Sequence, residues 1–205
     1  ADIAAAKAGI IKPGSPVVSY GGVPKADAVI ARVAKEQNAP LTVVDLLRRA
    51  GVECLMVSAD DQDTVTGARG MEVTMDEKLS EIDDQCDLVV LPGGIPGVPN
   101  LKTNSKVQAM VKAQNDRGGY VAAICAGPTA LGAFGVLADK NATCYPGCED
   151  QLMAKRHSTE PVVVDGNVIT SRGVGTAIEF ALKLVEILID RQTADDLAEK
   201  IVYKR

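Results

Sequence analysis

From about residue 51 onward, the apolar positions of the chain fall into short runs separated by stretches of helical period. Residues 52–58 alternate and then break at Ala59-Asp60-Asp61, predicting a strand that enters a loop. Gly67 and Gly70 mark turns, with Met71-Glu72-Val73 as a short strand beside them. Cys86-Asp87-Leu88-Val89-Val90-Leu91 is nearly continuous apolar and stops at Pro92-Gly93-Gly94, the pattern of a fully buried parallel strand. Residues 107–113 carry a helical period behind Asn104 or Ser105 as N-cap. A strand over 121–124 follows, then a helix over 129–134 ended by Gly135. Residues 161–170 read as a hairpin turning at Asp165-Gly166, because Asp-Gly favours a tight primed turn. Residues 176–189 predict an amphipathic helix with Ile178, Ala181, Leu182, Val185, Leu188 and Ile189 on one side. Residues 193–202 predict a last short helix. Strands alternating with helices imply a mainly parallel sheet covered on both faces, with sites at the carboxyl ends of its strands.

Composition narrows the function classes. With 205 residues the chain can form one domain with a sizeable core, and 46% hydrophobic with 24% charged residues is the balance of a globular protein. A net charge of -5, no basic cluster and few aromatic residues argue against nucleic acid as a partner. No apolar run is long enough to span a bilayer, and residues 1–7 lack the features of a signal peptide. Five scattered cysteines (Cys54, Cys86, Cys125, Cys144, Cys148) suit reduced thiols in a cytosol. Cys144 and Cys148 form neither a redox CxxC nor half a zinc site, and read as ordinary small residues near a turn.

The chemistry concentrates at Ile124-Cys125-Ala126-Gly127-Pro128. An apolar strand runs into a thiol followed by small residues, which is how a chain presents a nucleophile at a sharp strand-to-helix turn. A helix N-terminus beneath the sulfur is expected to favour the thiolate, lowering an ordinary pKa of about 8.5. The turn at Gly93-Gly94 ends a neighbouring strand, and backbone amides at Gly93, Gly94 and Ala126 are candidates to hold a developing oxyanion. Protease-like chemistry needs a base beside the thiol, and Ala126 supplies none. His157, the single histidine, lies in the polar run Lys155-Arg156-His157-Ser158-Thr159 and reads as a solvated loop residue.

Five blocks carry a family resemblance: Asp45-Leu46-Leu47-Arg48-Arg49-Ala50-Gly51-Val52, Val90-Leu91-Pro92-Gly93-Gly94, Ala122-Ala123-Ile124-Cys125-Ala126-Gly127-Pro128, Ala142-Thr143-Cys144-Tyr145-Pro146-Gly147 and Ile169-Thr170-Ser171-Arg172-Gly173-Val174-Gly175-Thr176. Residues 43–205 resemble the DJ-1/ThiJ/PfpI superfamily, its DJ-1-like branch most. The resemblance implies a flavodoxin-like three-layer α/β sandwich with a mainly parallel central sheet, usually a homodimer, and a cysteine at the elbow. Tyr145 stands where some members keep a histidine, and Val174 where the family usually has proline.

Residues 1–42 read differently, as an N-terminal segment of foreign character joined near 41–43. Residues 3–41 resemble a segment of folylpolyglutamate/dihydrofolate synthases, in which the lysine matching Lys7 helps hold a metal ion. No GxxxxGK[ST] phosphate loop occurs in the chain, so Lys7 reads as a surface residue and no metal is implied. Residues 17–20 are the expected strand and 24–37 the expected helix, with 29–34 the alternative strand. DJ-1-like proteins carry a glutamate that hydrogen-bonds the cysteine; counting back without gaps from Asp45, Ala39 stands there, and Glu36 is the nearest substitute.

The resemblance implies a cytoplasmic, cofactor-free glyoxalase III-type activity on a small reactive aldehyde, methylglyoxal. The Cys125 thiolate would add to the aldehyde and the glutamate would move a proton. With Ala39 in the glutamate's place, weak or absent turnover is expected. The alternative is a protein of the oxidative stress response that works through oxidation of Cys125 without turnover.

Overall fold

The computed structural model describes residues 39–67, 70–82 and 85–204. The expected strand at 17–20, the helix at 24–37, the alternative strand at 29–34, Lys7 and Glu36 all lie outside the described residues. Helix α1 (Ala39–Arg49) buries Val43, Leu46 and Leu47, which share one side at helical spacing. Arg48 and Arg49 close its last turn, where cations complement the helix dipole. The Arg48 guanidinium donates to the Cys54 carbonyl (2.9 and 2.7 Å) and to Asp76 (2.5 Å), tying the helix to the chain that follows. The boundary between residues 42 and 43 falls inside this helix.

Two small ladders come next. β1 (Val57–Ser58) pairs in parallel with β4 (Glu77–Lys78), and β2 (Thr64–Thr66) pairs antiparallel with β3 (Glu72–Thr74). The strand expected over 52–58 is therefore shorter, because only its last two residues find a partner among the described residues.

The central sheet has the order β5-β6-β10-β9, formed by β5 (Leu88–Leu91), β6 (Tyr120–Ile124), β9 (Val162–Asp165) and β10 (Val168–Ser171). β5, β6 and β10 run parallel, and β9 returns antiparallel beside β10. Strand β5 was expected to be fully buried, but only Leu91 is; Leu88, Val89 and Val90 are half-buried, since β6 alone pairs with it among the described residues. The hairpin between β9 and β10 pairs Asp165 with Val168, so its turn is Gly166-Asn167, one residue later than expected.

Alternation along β6 divides the core in two. Val121 and Ala123 face a cluster with Val107, Val111, Leu131 and Leu137; Ala122 and Ile124 face Leu46, Phe180, Leu182 and Leu184. The first cluster is covered by α2 (Gly97–Thr103), α3 (Ser105–Asp116) and α4 (Pro128–Ala133). The second is covered by α1, α5 (Ala177–Leu188) and α6 (Arg191–Lys200). The result is a flavodoxin-like three-layer sandwich with a mostly parallel sheet. Asn104 caps α3, its side-chain oxygen accepting from the Lys106 and Val107 amides (3.0 and 3.1 Å), while its amide group donates to the Ala59 carbonyl (2.7 Å). On α5 the expected side is buried at Ala181, Leu182 and Val185, half-buried at Ile178 and Leu188, and exposed at Ile189, which lies past the helix end. Phe180 and Leu184 join the buried face, in the cluster that α5 shares with α1, α6 and the sheet.

Candidate functional site

Strand β6 ends at Ile124, and the next residue turns sharply. Cys125 has φ +65°, in the left-handed region that a non-glycine residue enters at a cost of about 1–3 kcal/mol. The turn is fixed from three directions. The Cys125 amide donates to the Ser171 carbonyl (3.0 Å), the Tyr145 amide donates to the Cys125 carbonyl (2.8 Å), and the Gly127 amide donates to the Ile124 carbonyl (3.0 Å). Helix α4 begins at Pro128, where Thr129 Oγ1 donates to the Ala126 carbonyl (2.7 Å).

The two glycine-bearing turns at the sheet's carboxyl edge do come together. A Cβ on Gly93 would stand 2.5 Å from the Cys125 Cβ and 3.1 Å from its Sγ, so only glycine lets this backbone approach the thiol. A Cβ on Gly127 would lie 2.7–2.9 Å from the carbonyl oxygens of Leu91, Pro92 and Ile124, which locks the elbow against the end of β5. Gly173, following β10, completes the surround: a Cβ there would be 3.9 Å from the Cys125 Sγ and 3.3 Å from the Tyr145 ring.

The Ala126 and Gly94 backbone amides favour the Cys125 thiolate. They do not prevail. Burial is the largest influence, the charge of Cys148 adds to it, and together they push the Cys125 thiol above its ordinary pKa. The expectation of a lowered pKa is thus corrected. Helix α4 starts three residues beyond the thiol and is only six residues long, so its dipole is a poor counterweight to desolvation.

Cys144 is fully buried, and its pKa is pushed up to about 12 by burial first, then by Glu149, Cys148 and Cys125, against a lowering pull from Arg172. Cys148 is half-buried and closes the turn that starts at Tyr145, its amide donating to the Tyr145 carbonyl (3.0 Å). His157 is solvated as expected, but it stands on a short strand, β8 (Arg156–His157), paired with β7 (Asn141–Ala142), not in a loop. Tyr145, noted above only as replacing a histidine, lies beside the elbow, and Ser171 and Gly173 are neighbours of the thiol that the motifs gave no role. The signal for them was indirect: Ser171 ends β10 and Gly173 follows it by two residues, at the same edge of the sheet as the elbow.

Among the described residues, no group of three or more His, Cys, Asp or Glu side chains is placed to hold a metal ion, and no helix is long and apolar enough to cross a membrane.

The DJ-1/PfpI family model matches residues 28–187, which contain every described element from α1 to nearly the end of α5. The Parkinson disease protein 7 homolog of Danio rerio is 38% identical over 185 residues, covering 88% of this chain and 97% of that protein. The glutathione-independent glyoxalase DJR-1.2 of Caenorhabditis elegans is 34% identical over 160 residues, covering 77% of this chain and 84% of that protein. Among solved structures, oxidised Toxoplasma gondii DJ-1 superposes with a TM-score of 0.78 at 34% identity, covering 82% of this chain and 92% of that one.

Proposed function

The chain belongs to the DJ-1/PfpI family, and from that premise we propose that it is a cysteine-dependent protein of glyoxalase III type, acting on a small reactive aldehyde with Cys125 as nucleophile. The observation that carries this reading is the elbow: a thiol held at positive φ, with the Gly93 backbone brought up against its sulfur and Ala126, not a histidine, beside it. The relative described as a glutathione-independent glyoxalase supports it.

In this reaction the Cys125 sulfur bonds to the aldehyde carbon of methylglyoxal, and the carbonyl oxygen takes a proton to give a hemithioacetal. A base then moves the carbon-bound proton to the neighbouring carbon, giving a lactoyl thioester. Water hydrolyses that thioester to lactate and frees the thiol. The amides of Ala126 and Gly94, with Gly93 leaving the approach open, are the candidates to hold the oxyanion. Ala39 occupies the counted position of the proton-moving glutamate, and Glu36 is its nearest substitute, so turnover is impaired. The same reading takes the protein as a cytoplasmic homodimer without cofactor.

Methylglyoxal turnover by the natural chain, Cys125→Ala and Ala39→Glu is the test. Weak turnover that Cys125→Ala abolishes and Ala39→Glu raises is expected. Robust turnover by the natural chain would sink the impairment, and none in any of the three would sink the enzyme.

The second reading is a redox-responsive protein that works through oxidation of Cys125. What supports it is that the Ala126 and Gly94 amides favour negative charge on the sulfur, which an oxidised sulfur would also carry. Peptide mass analysis after mild peroxide, alongside the turnover assay, separates the two readings.

A further inference from the structure

Tyr145 is 51% exposed although it hangs directly from the elbow, its amide donating to the Cys125 carbonyl (2.8 Å). An aromatic ring is among the largest apolar surfaces a side chain offers, so a half-open ring beside a thiol is surface free to receive a ligand. Gly173 sets its place relative to the sulfur. A Cβ there would stand 3.3 and 3.8 Å from Cδ2 and Cε2 along one edge of the ring, and 3.9 Å from the Cys125 Sγ. Ring edge and sulfur thus border one small gap that the missing side chain of Gly173 leaves open. Gly93 brings a second wall to the sulfur, and two residues further on Ile95 is 70% exposed. A side-chain bond links the two segments: Lys102 on α2, which starts soon after Ile95, donates to Gln151 in the turn that follows Tyr145 (3.0 Å). Arg172, which follows β10, donates to the Thr159 carbonyl (3.3 Å), and its charge acts on Cys144 and Glu149.

We propose that Tyr145 determines specificity: its ring selects electrophiles that carry a flat apolar substituent, so Cys125 takes aryl-substituted 2-oxoaldehydes ahead of methylglyoxal. The inference rests on the aldehyde reading above. The sulfur bonds to the aldehyde carbon as it does for methylglyoxal, and the aryl group lies against the ring. Rearrangement and hydrolysis then add one water overall, giving an aryl 2-hydroxy acid and the free thiol. An offset or edge-to-face ring contact is strong enough to shift the preference about tenfold.

The test compares the full natural chain with Tyr145→Phe and Tyr145→Ala through ratios, which cancel the intrinsic reactivity of each reagent. kcat/KM is measured for phenylglyoxal and methylglyoxal, and the rate of Cys125 modification by N-phenylmaleimide and N-methylmaleimide is followed by peptide mass analysis. In Tyr145→Ala both aryl-to-methyl ratios should fall about tenfold. Tyr145→Phe should keep them within about twofold, because the ring and not its hydroxyl makes the contact. Circular dichroism confirms that both variants are folded. An unchanged maleimide ratio in Tyr145→Ala, or an equal loss in Tyr145→Phe, overturns the role of the ring. A fallen maleimide ratio with no turnover of either aldehyde by any of the three chains upholds the ring and sinks the aldehyde reading.

Discussion

Phe180 and Cys125 pack against the same sheet, and both belong to the cluster beneath α5, yet they are held in opposite ways. Phe180 is one of many apolar side chains from α1, α5, α6 and the strands that bury one another, so its position is set by side-chain volume. Cys125 is set by backbone: three main-chain hydrogen bonds around it and glycines whose missing Cβ atoms leave room for the turn. A side-chain-built region tolerates a change of shape and loses stability in proportion to the atoms removed. A backbone-built region has no slack, so one added methyl displaces the chemistry itself.

The widest contrast comes from deleting volume on the first side. Phe180→Ala should cost about 3–5 kcal/mol in chemical denaturation, because the ring is fully buried and leaves a cavity. A cost below about 1 kcal/mol would mean that the packing is looser than the cluster implies. On the other side, Gly93→Ala should cost a smaller about 1–3 kcal/mol by overpacking, since the new methyl meets the Cys125 Cβ at 2.5 Å. Its signature is local: Cys125 alkylation should slow at least about tenfold while far-ultraviolet circular dichroism is unchanged, as shielding a thiol slows its reaction. Unaltered alkylation would show that the two turns are not in contact.

The smallest effect is a matter of pH. Burial favours the neutral Cys125 thiol, so its folded pKa lies above the unfolded one. Its thiolate fraction at neutral pH is then below that of an unperturbed cysteine, and iodoacetamide labelling should keep rising with pH beyond about 8.5, where a free thiol begins to level off. Cys144, at about 12, should stay unlabelled throughout. The linked stability term has the same sign: preference for the neutral thiol stabilises the fold below the unfolded pKa and is lost as pH rises through the folded one. A labelling plateau below pH 7 would reverse the assignment.

The same contrast explains what could be read from the chain. Helix α5 and the hairpin at 162–171 were legible because side-chain period reports which surface is covered, and the cap of α3 was legible to within Asn104 or Ser105, of which Asn104 is the one that accepts the amides. The elbow was legible as a place, since Cys125 between an apolar run and Ala126-Gly127-Pro128 has few other uses. Its electrostatics were not. The thiol's pKa depends on how deeply the sulfur is covered by Gly93, Gly173 and the Tyr145 turn, contacts between segments that sequence order keeps far apart. The hairpin turn slipped by one residue for a related reason, because pairing of Asp165 with Val168 is decided across strands and not by the dipeptide.

The bond from the Cys125 amide to the Ser171 carbonyl continues the β6–β10 ladder by one rung. The Cys125 sulfur is thereby mounted on the central sheet itself, as a fixed anvil. On the function proposed above, selectivity among electrophiles then cannot come from the thiol adjusting to its target. It has to be written in whatever closes over the thiol, so homologues with a superposable elbow are free to diverge in what they accept.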